Sequence, residues 1–363
     1  MRKDLVDISR FYGKNPEYVI AGGGNTSFKN ESRIWVKASG ISLETIDQKG
    51  FVCLSREKLK VIEDKEYSTD TVTREQEVKN DLSAAIIEST LRPSVETSLH
   101  NIIDYSYVVH THPTKLNALL CSKSAKKRSA DLFDKALFIE YTDPGYILFK
   151  KVLREIEGYR EKYNGCPQLI FLENHGVFAG ADSVDEIKGL YRQIMQKVEP
   201  PEMINFEFTS LQNDTIEQIS VLPEFNDKTV LGFTGELIRY FISTERSFLN
   251  VSIPFTPDHI VYCKSKYVYL ESLQSQSKLS DTINDFHSQN GYLPKVVAIG
   301  DLGLFTVEEN QKSANTVFEV FYDMMKISRL SEFYDGPKFM TPEQIKFIDN
   351  WEVENYRRKM AAK

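Results

Sequence analysis

The strongest constraint on this chain is where its short apolar runs stop. Ser106-Tyr107-Val108-Val109-His110 and Leu169-Ile170-Phe171-Leu172 have strand length, and a polar turn carrying histidine follows each: Thr111-His112-Pro113 after the first, Glu173-Asn174-His175-Gly176 after the second. Strand side chains alternate between faces, so His110 and His112, two residues apart, point to one side. Between such strands run amphipathic stretches of helical period. Residues 183–198 place Ile187, Leu190, Ile194 and Val198 on one face, and residues 2–12 repeat Leu5, Ile8 and Phe11 before Gly13. Further strands are expected at Tyr18–Ala21, Ile34–Lys37 and Phe51–Leu54. Arg92-Pro93-Ser94 is expected to open a helix that turns Val95, Leu99, Ile102 and Ile103 inward, with Ser94 as its cap. Pro113 starts another. The pattern is a mixed α/β fold with antiparallel pairing in its first part.

Pro200-Pro201 breaks the helix at 183–198, and residues 199–226 read as an irregular acidic linker. Two domains are therefore expected, 1–200 and 201–363, in keeping with a length of 363 residues. In the second, helices near 230–242, 279–289, 312–328 and 342–360 surround short strands near 259–263 and 296–299. A faint repeat links the halves: Glu173-Asn174-His175-Gly176-Val177-Phe178-Ala179 resembles Gly300-Asp301-Leu302-Gly303-Leu304-Phe305-Thr306. Each follows an apolar strand and precedes a long amphipathic helix. Leu302 stands in the place of His175, so the C-terminal region reads as a smaller α/β copy that has lost its chemistry. The apolar side of its helix at 312–328 is expected to bury an interface.

Composition excludes several partners. Charges of both signs are mixed along the chain and sum to -7, which argues against nucleic acid. The basic run Lys126-Lys127-Arg128 reads as a solvated face. Cys53, Cys121, Cys166 and Cys263 form no Cys-x-x-Cys pair, so they read as free thiols in a reducing cytoplasm. The N-terminus is amphipathic rather than a signal region, and no run approaches the roughly 20 apolar residues of a spanning helix.

The chemistry gathers on a few residues. Neutral imidazole is a common transition-metal ligand, and three protein ligands leave a position open for substrate. His110, His112 and His175 are the candidates among six histidines. Glu96, on a segment leading directly into the first histidine strand, is the candidate acid/base. His100, one helical turn on, is expected to support the site or the core. Gly22-Gly23-Gly24-Asn25-Thr26-Ser27 lets backbone N–H groups approach an anion closely, and Ala38-Ser39-Gly40 and Ser94 add further donors. Neither a P-loop nor a G-x-G-x-x-G turn before a helix occurs, which argues against nucleotide binding.

Taken together, G-G-N-T-S at 23–27, K-A-S-G at 37–40, R-P-S-V-E at 92–96, V-H-T-H-P at 109–113 and E-N-H-G at 173–176 resemble the class II aldolase/adducin family in motif and order. The likeness covers about residues 5–198. It is greatest to rhamnulose-1-phosphate aldolase-type proteins, especially the aldolase portion of bifunctional aldolase/short-chain dehydrogenases. Pro254-Phe255-Thr256-Pro257-Asp258-His259 and Gly303-Leu304-Phe305 resemble the later part of that portion, and no dehydrogenase portion is expected here. The resemblance implies a three-layer α/β/α fold around a central, mainly antiparallel sheet, and a homo-oligomer, dimer or tetramer. It implies zinc on His110, His112 and His175, Glu96 as acid/base, and phosphate contacts from Asn25, Ser39, Gly40 and Ser94. Val95 departs from the pattern, because fuculose-phosphate aldolases carry a second serine there.

The implied reaction cleaves a ketose 1-phosphate to dihydroxyacetone phosphate and an aldehyde through a metal-stabilised enediolate. Other members of the family epimerise, dehydrate or decarboxylate sugar or keto-acid phosphates with the same metal site. Epimerases carry aspartate at the position of Glu96, which tilts against them. A non-catalytic adducin-like protein is disfavoured, since adducin heads lack the full ligand set.

Overall fold

A computed structural model describes residues 2–350 and divides into two compact units. One comprises residues up to 120 together with 124–199, the other residues 121–123 and the chain from Pro200 onward.

The first unit contains α1 (Lys3–Gly13), β1 (Asn25–Lys29), β2 (Arg33–Lys37), β3 (Phe51–Ser55), α2 (Arg56–Asp64), α3 (Thr71–Ala84), β4 (Ile86–Glu88) and α4 (Thr97–Ile102). It continues with β5 (Tyr107–Thr111), α5 (Thr114–Leu120), α6 (Ala125–Leu132), β6 (Leu137–Ile139), α7 (Tyr146–Tyr163), β7 (Leu169–Leu172), β8 (Gly176–Ala181) and α8 (Val184–Lys197). The strands form one sheet in the order β4-β3-β2-β1-β5-β8-β7-β6, antiparallel throughout except for β6 with β7. Helices α2, α3, α4 and α7 cover one face, and α1, α5, α6 and α8 pack together across the other. The expected three-layer architecture is thus present. The first layer closes over a core that includes Ile34, Val36, Val108, Leu99, Val152, Ile170 and Phe178. In the other, Tyr191 of α8 meets Tyr12 of α1 and accepts a 2.8 Å hydrogen bond from Thr111 Oγ1. A capping box at Ser183 and Glu186 starts α8 where the sequence places it.

Two elements of this unit differ from expectation. Tyr18–Ala21 is a turn, not a strand: Ala21 has φ 54° and Gly23 N–H bonds to Ile20 O at 3.1 Å. Its backbone serves the site instead, since Tyr18 O accepts from His112 N–H at 3.0 Å. The helix expected from Ser94 begins only at Thr97, because Pro93 pairs with Ala38 as an isolated bridge and Ser94 N–H is spent on Lys37 O.

The second unit contains β9 (Phe208–Ser210), α9 (Asn213–Ser220), β10 (Thr229–Gly235), α10 (Glu236–Ile242), α11 (Glu245–Phe248), α12 (Pro257–Cys263), β11 (Val268–Leu270), α13 (Gln276–Asn290), β12 (Val296–Ile299), β13 (Gly303–Glu308), α14 (Gln311–Ser331) and α15 (Pro342–Asn350). The segment 199–226 therefore holds a strand and a helix rather than being wholly irregular. Residues 229–235 are strand where helix was expected, and 257–263 helix where strand was expected. Short apolar runs carry no decisive period, and Pro257 at the first helical turn is the local signal that settles the second case. The last expected helix is described over Pro342–Asn350; residues 351–360 lie outside the described residues.

The sheet of this unit has the order β11-β12-β13-β10-β9. That is the plan of β6-β7-β8-β5-β1 in the first sheet, down to the parallel pair at one end. Registers agree as well. Leu172 pairs with Gly176 and Ile170 with Phe178 in one hairpin; Ile299 pairs with Gly303 and Val297 with Phe305 in the other. A capping box starts α14 at Asn310, as one starts α8. The apolar side of α14, expected to serve an interface, is buried within its own unit. Phe318 stacks on Phe233 of β10 with centroids 3.6 Å apart, and α14 packs on α12, α10 and β13.

Lys29 of β1 is almost fully buried and donates to His100 O at 2.8 Å. Burial pushes its pKa down from 10.5 to about 7. Between those values the folded chain holds fewer protons than the unfolded one, so Lys29 lets stability rise as pH rises through that window. The urea midpoint should increase from pH 7 to pH 9 more in the wild type than in Lys29→Met.

Candidate metal centre

Strand β5 lies between β1 and β8, and its register sets the centre. His110 pairs with Asn25 on one side and with Phe178 on the other. Its ring stacks on Phe178, centroids 4.1 Å apart, and is fully buried. His110 Nδ1 lies 2.9 Å from Val177 O, so it carries the proton of the neutral ring and Nε2 presents a lone pair. His112 follows the strand, and its Nε2 is 2.9 Å from that of His110. His175 arrives on the β7–β8 turn, where Asn174 takes the left-handed conformation at φ 54° and His175 N–H bonds to Leu172 O at 3.2 Å. Asn117 of α5 steadies the turn by donating to His175 O at 3.2 Å.

Ligand nitrogens of the three histidines lie within 4.8 Å of one another. Tetrahedral zinc, with Zn–N of about 2.0–2.1 Å, needs nitrogen–nitrogen spacings of about 3.3 Å, so small side-chain adjustments suffice. Glu96 caps α4 beside them and is buried. Its Oε1 has no hydrogen-bond partner and lies 3.5 Å from His110 Nε2 and 3.7 Å from His175 Nε2. Leaving a buried carboxylate oxygen unsatisfied is costly, and a cation at the convergence of the imidazoles removes that cost. The donor set therefore fits a divalent transition metal with an open position.

The expected anion-binding motifs converge as well. Ser39 N–H donates to Arg92 O at 2.8 Å and Ser94 N–H to Lys37 O at 3.2 Å, which lays the Ser39–Gly40 turn beside Ser94. Gly40 is left-handed at φ 81°. Lys37, buried, donates to Ile41 O at 2.7 Å and Gly22 O at 3.4 Å, tying that turn to the glycine loop. Asn25 lies among them, but its amide is engaged by Ser94, Glu96 and His100. Val95 follows Ser94 in the same turn.

The structural roles of two features escape a reading by motif. Gly176 is one: a Cβ there would stand 2.5 Å from Thr111 O and 2.6 Å from His112 Cδ2, so only glycine lets the second turn close on the histidines. The other is the hydrogen-bond chain through His100, whose position four residues after Glu96 was its only signal.

The family model "Class II Aldolase and Adducin N-terminal domain" matches residues 3–196. The chain belongs to the class II aldolase and adducin family. It is 25% identical over 316 residues to "Uncharacterized oxidoreductase YuxG" of Bacillus subtilis, covering 77% of this chain and 44% of that relative. The chain thus spans less than half the length of that relative. Among solved structures, it resembles the N-terminal class II aldolase domain of a conserved protein from Thermoplasma acidophilum (25% identity, TM-score 0.46, covering 54% of this chain and 91% of that one). It also resembles an L-fuculose-1-phosphate aldolase from Thermus thermophilus (17% identity, TM-score 0.38, covering 55% and 94%). Among the described residues no helix is long and apolar enough to cross a membrane.

In Gly176→Ala the added methyl must displace Thr111 or His112. Zinc titration of the purified variant should show weaker binding than the wild type, with circular dichroism of the fold retained.

Proposed function

We propose that the chain is a zinc-dependent aldehyde-lyase that cleaves a ketose 1-phosphate of the rhamnulose or fuculose type to dihydroxyacetone phosphate and an aldehyde. Glu96 carries this reading: its unpartnered, buried Oε1 faces two of three converging imidazoles. Membership in a family that contains metal-dependent aldolases supports it. Likeness to part of a longer relative fits a chain equivalent to the aldolase portion of a bifunctional enzyme.

Bound to His110, His112 and His175, zinc supplies Lewis-acid stabilisation of the charge left on substrate oxygens as the carbon–carbon bond breaks. Glu96 delivers a proton to the released carbon, and removes it again in the synthetic direction. Ser39, Gly40 and Ser94 are assigned to the phosphate. Asn25 is assigned to the same neighbourhood, where it also holds Glu96. Residues 1–200 are taken as the catalytic domain and 201–363 as a degenerate copy, a reading supported by the matching strand order of the two sheets. The chain is proposed to act in the cytoplasm as a homo-oligomer, dimer or tetramer.

The test is incubation of the zinc form with a panel of ketose 1-phosphates and 5-phosphates. Release of dihydroxyacetone phosphate is expected. An epimerised, dehydrated or decarboxylated product would replace the aldolase reading, and binding without turnover would favour an adducin-like role. Glu96→Gln should retain metal and lose on the order of 10²–10⁴-fold in turnover, measured at saturating substrate. His112→Ala should stay folded and lose most bound zinc by elemental analysis.

A further inference from the structure

Behind Glu96 lies a row of buried polar groups, of which His100 and Ser27 have no part in the reaction proposed above. Asn25 Nδ2 is 2.5 Å from Glu96 Oε2 and 3.3 Å from Ser94 Oγ. Asn25 Oδ1 meets His100 Nε2, and His100 Nδ1 lies 2.8 Å from Ser27 Oγ. His100 is fully buried and Ser27 likewise. Burial, with His110 and Lys29 adding to it, holds the His100 pKa well below the ordinary histidine value, so the ring is neutral and one nitrogen donates while the other accepts.

The partners fix which does which. Asn25 directs its NH₂ to Glu96 Oε2 and Ser94 Oγ, and its carbonyl to His100. His100 Nε2 must then carry the proton, and Nδ1 must accept from the Ser27 hydroxyl. Each group in the row is forced by the next, and the result falls on Glu96. Oε2 is held by the amide, so Oε1 alone is left to face the histidines.

We propose that His100 is a positioning residue: as the Nε2–H tautomer it locks the Asn25 amide, and through it the rotamer of Glu96. The step from positioning to turnover rests on the acid/base role proposed for Glu96, whereas the tautomer does not. Replacing the imidazole by an apolar side chain leaves Asn25 Oδ1 without its donor, so the amide is free to rotate away and Glu96 Oε2 loses its fixed partner. A glutamine at the same place can offer its NH₂ near the position of Nε2 and hold the amide as before.

The experiment is a long-range ¹H–¹⁵N correlation spectrum of the zinc-loaded, ¹⁵N-histidine-labelled full chain at pH 8, with His100 assigned by its absence in His100→Gln. An Nε2–H pattern is expected, and an Nδ1–H pattern would overturn the proposal. In parallel, His100→Leu and His100→Gln are compared with the wild type for zinc content and for kcat and KM on a substrate the wild type cleaves. Loss of about 10–100-fold in kcat is expected for the leucine variant, the usual scale for groups behind a metal site, with zinc retained and KM within a few-fold. The glutamine variant should recover most of that loss. Equal activity in the two variants, or a rise in KM alone, would overturn the positioning role. Should His100→Leu fail to fold, the spectrum and the glutamine variant still decide. A wild type that cleaves no ketose phosphate would reject the proposed reaction, and the spectrum would still decide the tautomer.

Discussion

Strand β5 hydrogen-bonds to β1 on one side and to β8 on the other, and the centre depends on that double register. Pairing with β8 sets His110 across from Phe178 and brings the β7–β8 turn, with His175, level with the end of β5. Pairing with β1 sets Asn25 across from His110. Because strand side chains alternate, a slip of one residue on either side would turn His110 to the opposite face, away from α4 and Glu96. The slip is blocked by packing: Val108, on the same face, belongs to the core under α2, α4 and α7, while Val109 and Thr111 face Tyr191 and α8. The hydrophobic effect on both faces thus holds imidazoles to within ångströms.

Given that register, the remaining geometry comes from backbone that no side chain could replace. Gly24 takes φ 64°, and a Cβ there would stand 2.8 Å from His110 O; a Cβ at Gly176 would meet Thr111 and His112. Each is glycine because a neighbouring strand occupies the space of a Cβ. Two turns thereby approach one strand end from opposite sides, one bringing the groups that hold Glu96 and the other the third imidazole. Buried hydrogen bonds finish the arrangement. His110 is fixed by Val177 O and Glu96 by Asn25, so few rotamers remain to be frozen when an ion or a substrate arrives.

Much of this was legible in the sequence because it is written in periods and in turn residues. The spacing of His110 and His112 gives their common side directly, and the Glu-Asn-His-Gly turn gives a third imidazole at a strand end. What was not legible is of two kinds. Runs such as Tyr18–Ala21, Val230–Gly235 and His259–Cys263 are too short for a period to show, so their neighbours in space decide them. The hydrogen-bond row through His100 joins residues about 70 positions apart along the chain, and no local pattern marks it.

Two sheets of like order in one chain carry a hazard during folding, since a hairpin of one can be offered the edge meant for the other. The hairpin β12–β13 carries a mark against that exchange. Lys295, just before β12, forms a mostly shielded ion pair with Glu308 at the end of β13. At the matching places of β7–β8 stand Gln168 and Ala181, which can be aligned through Gly180 N–H bonding to Gln168 O and Val307 N–H to Lys295 O. If β12 docked on β8, the ammonium would meet a methyl group and lose its carboxylate. A charge stranded in this way is expensive, so the pair discriminates between partners that backbone geometry alone would treat as equals.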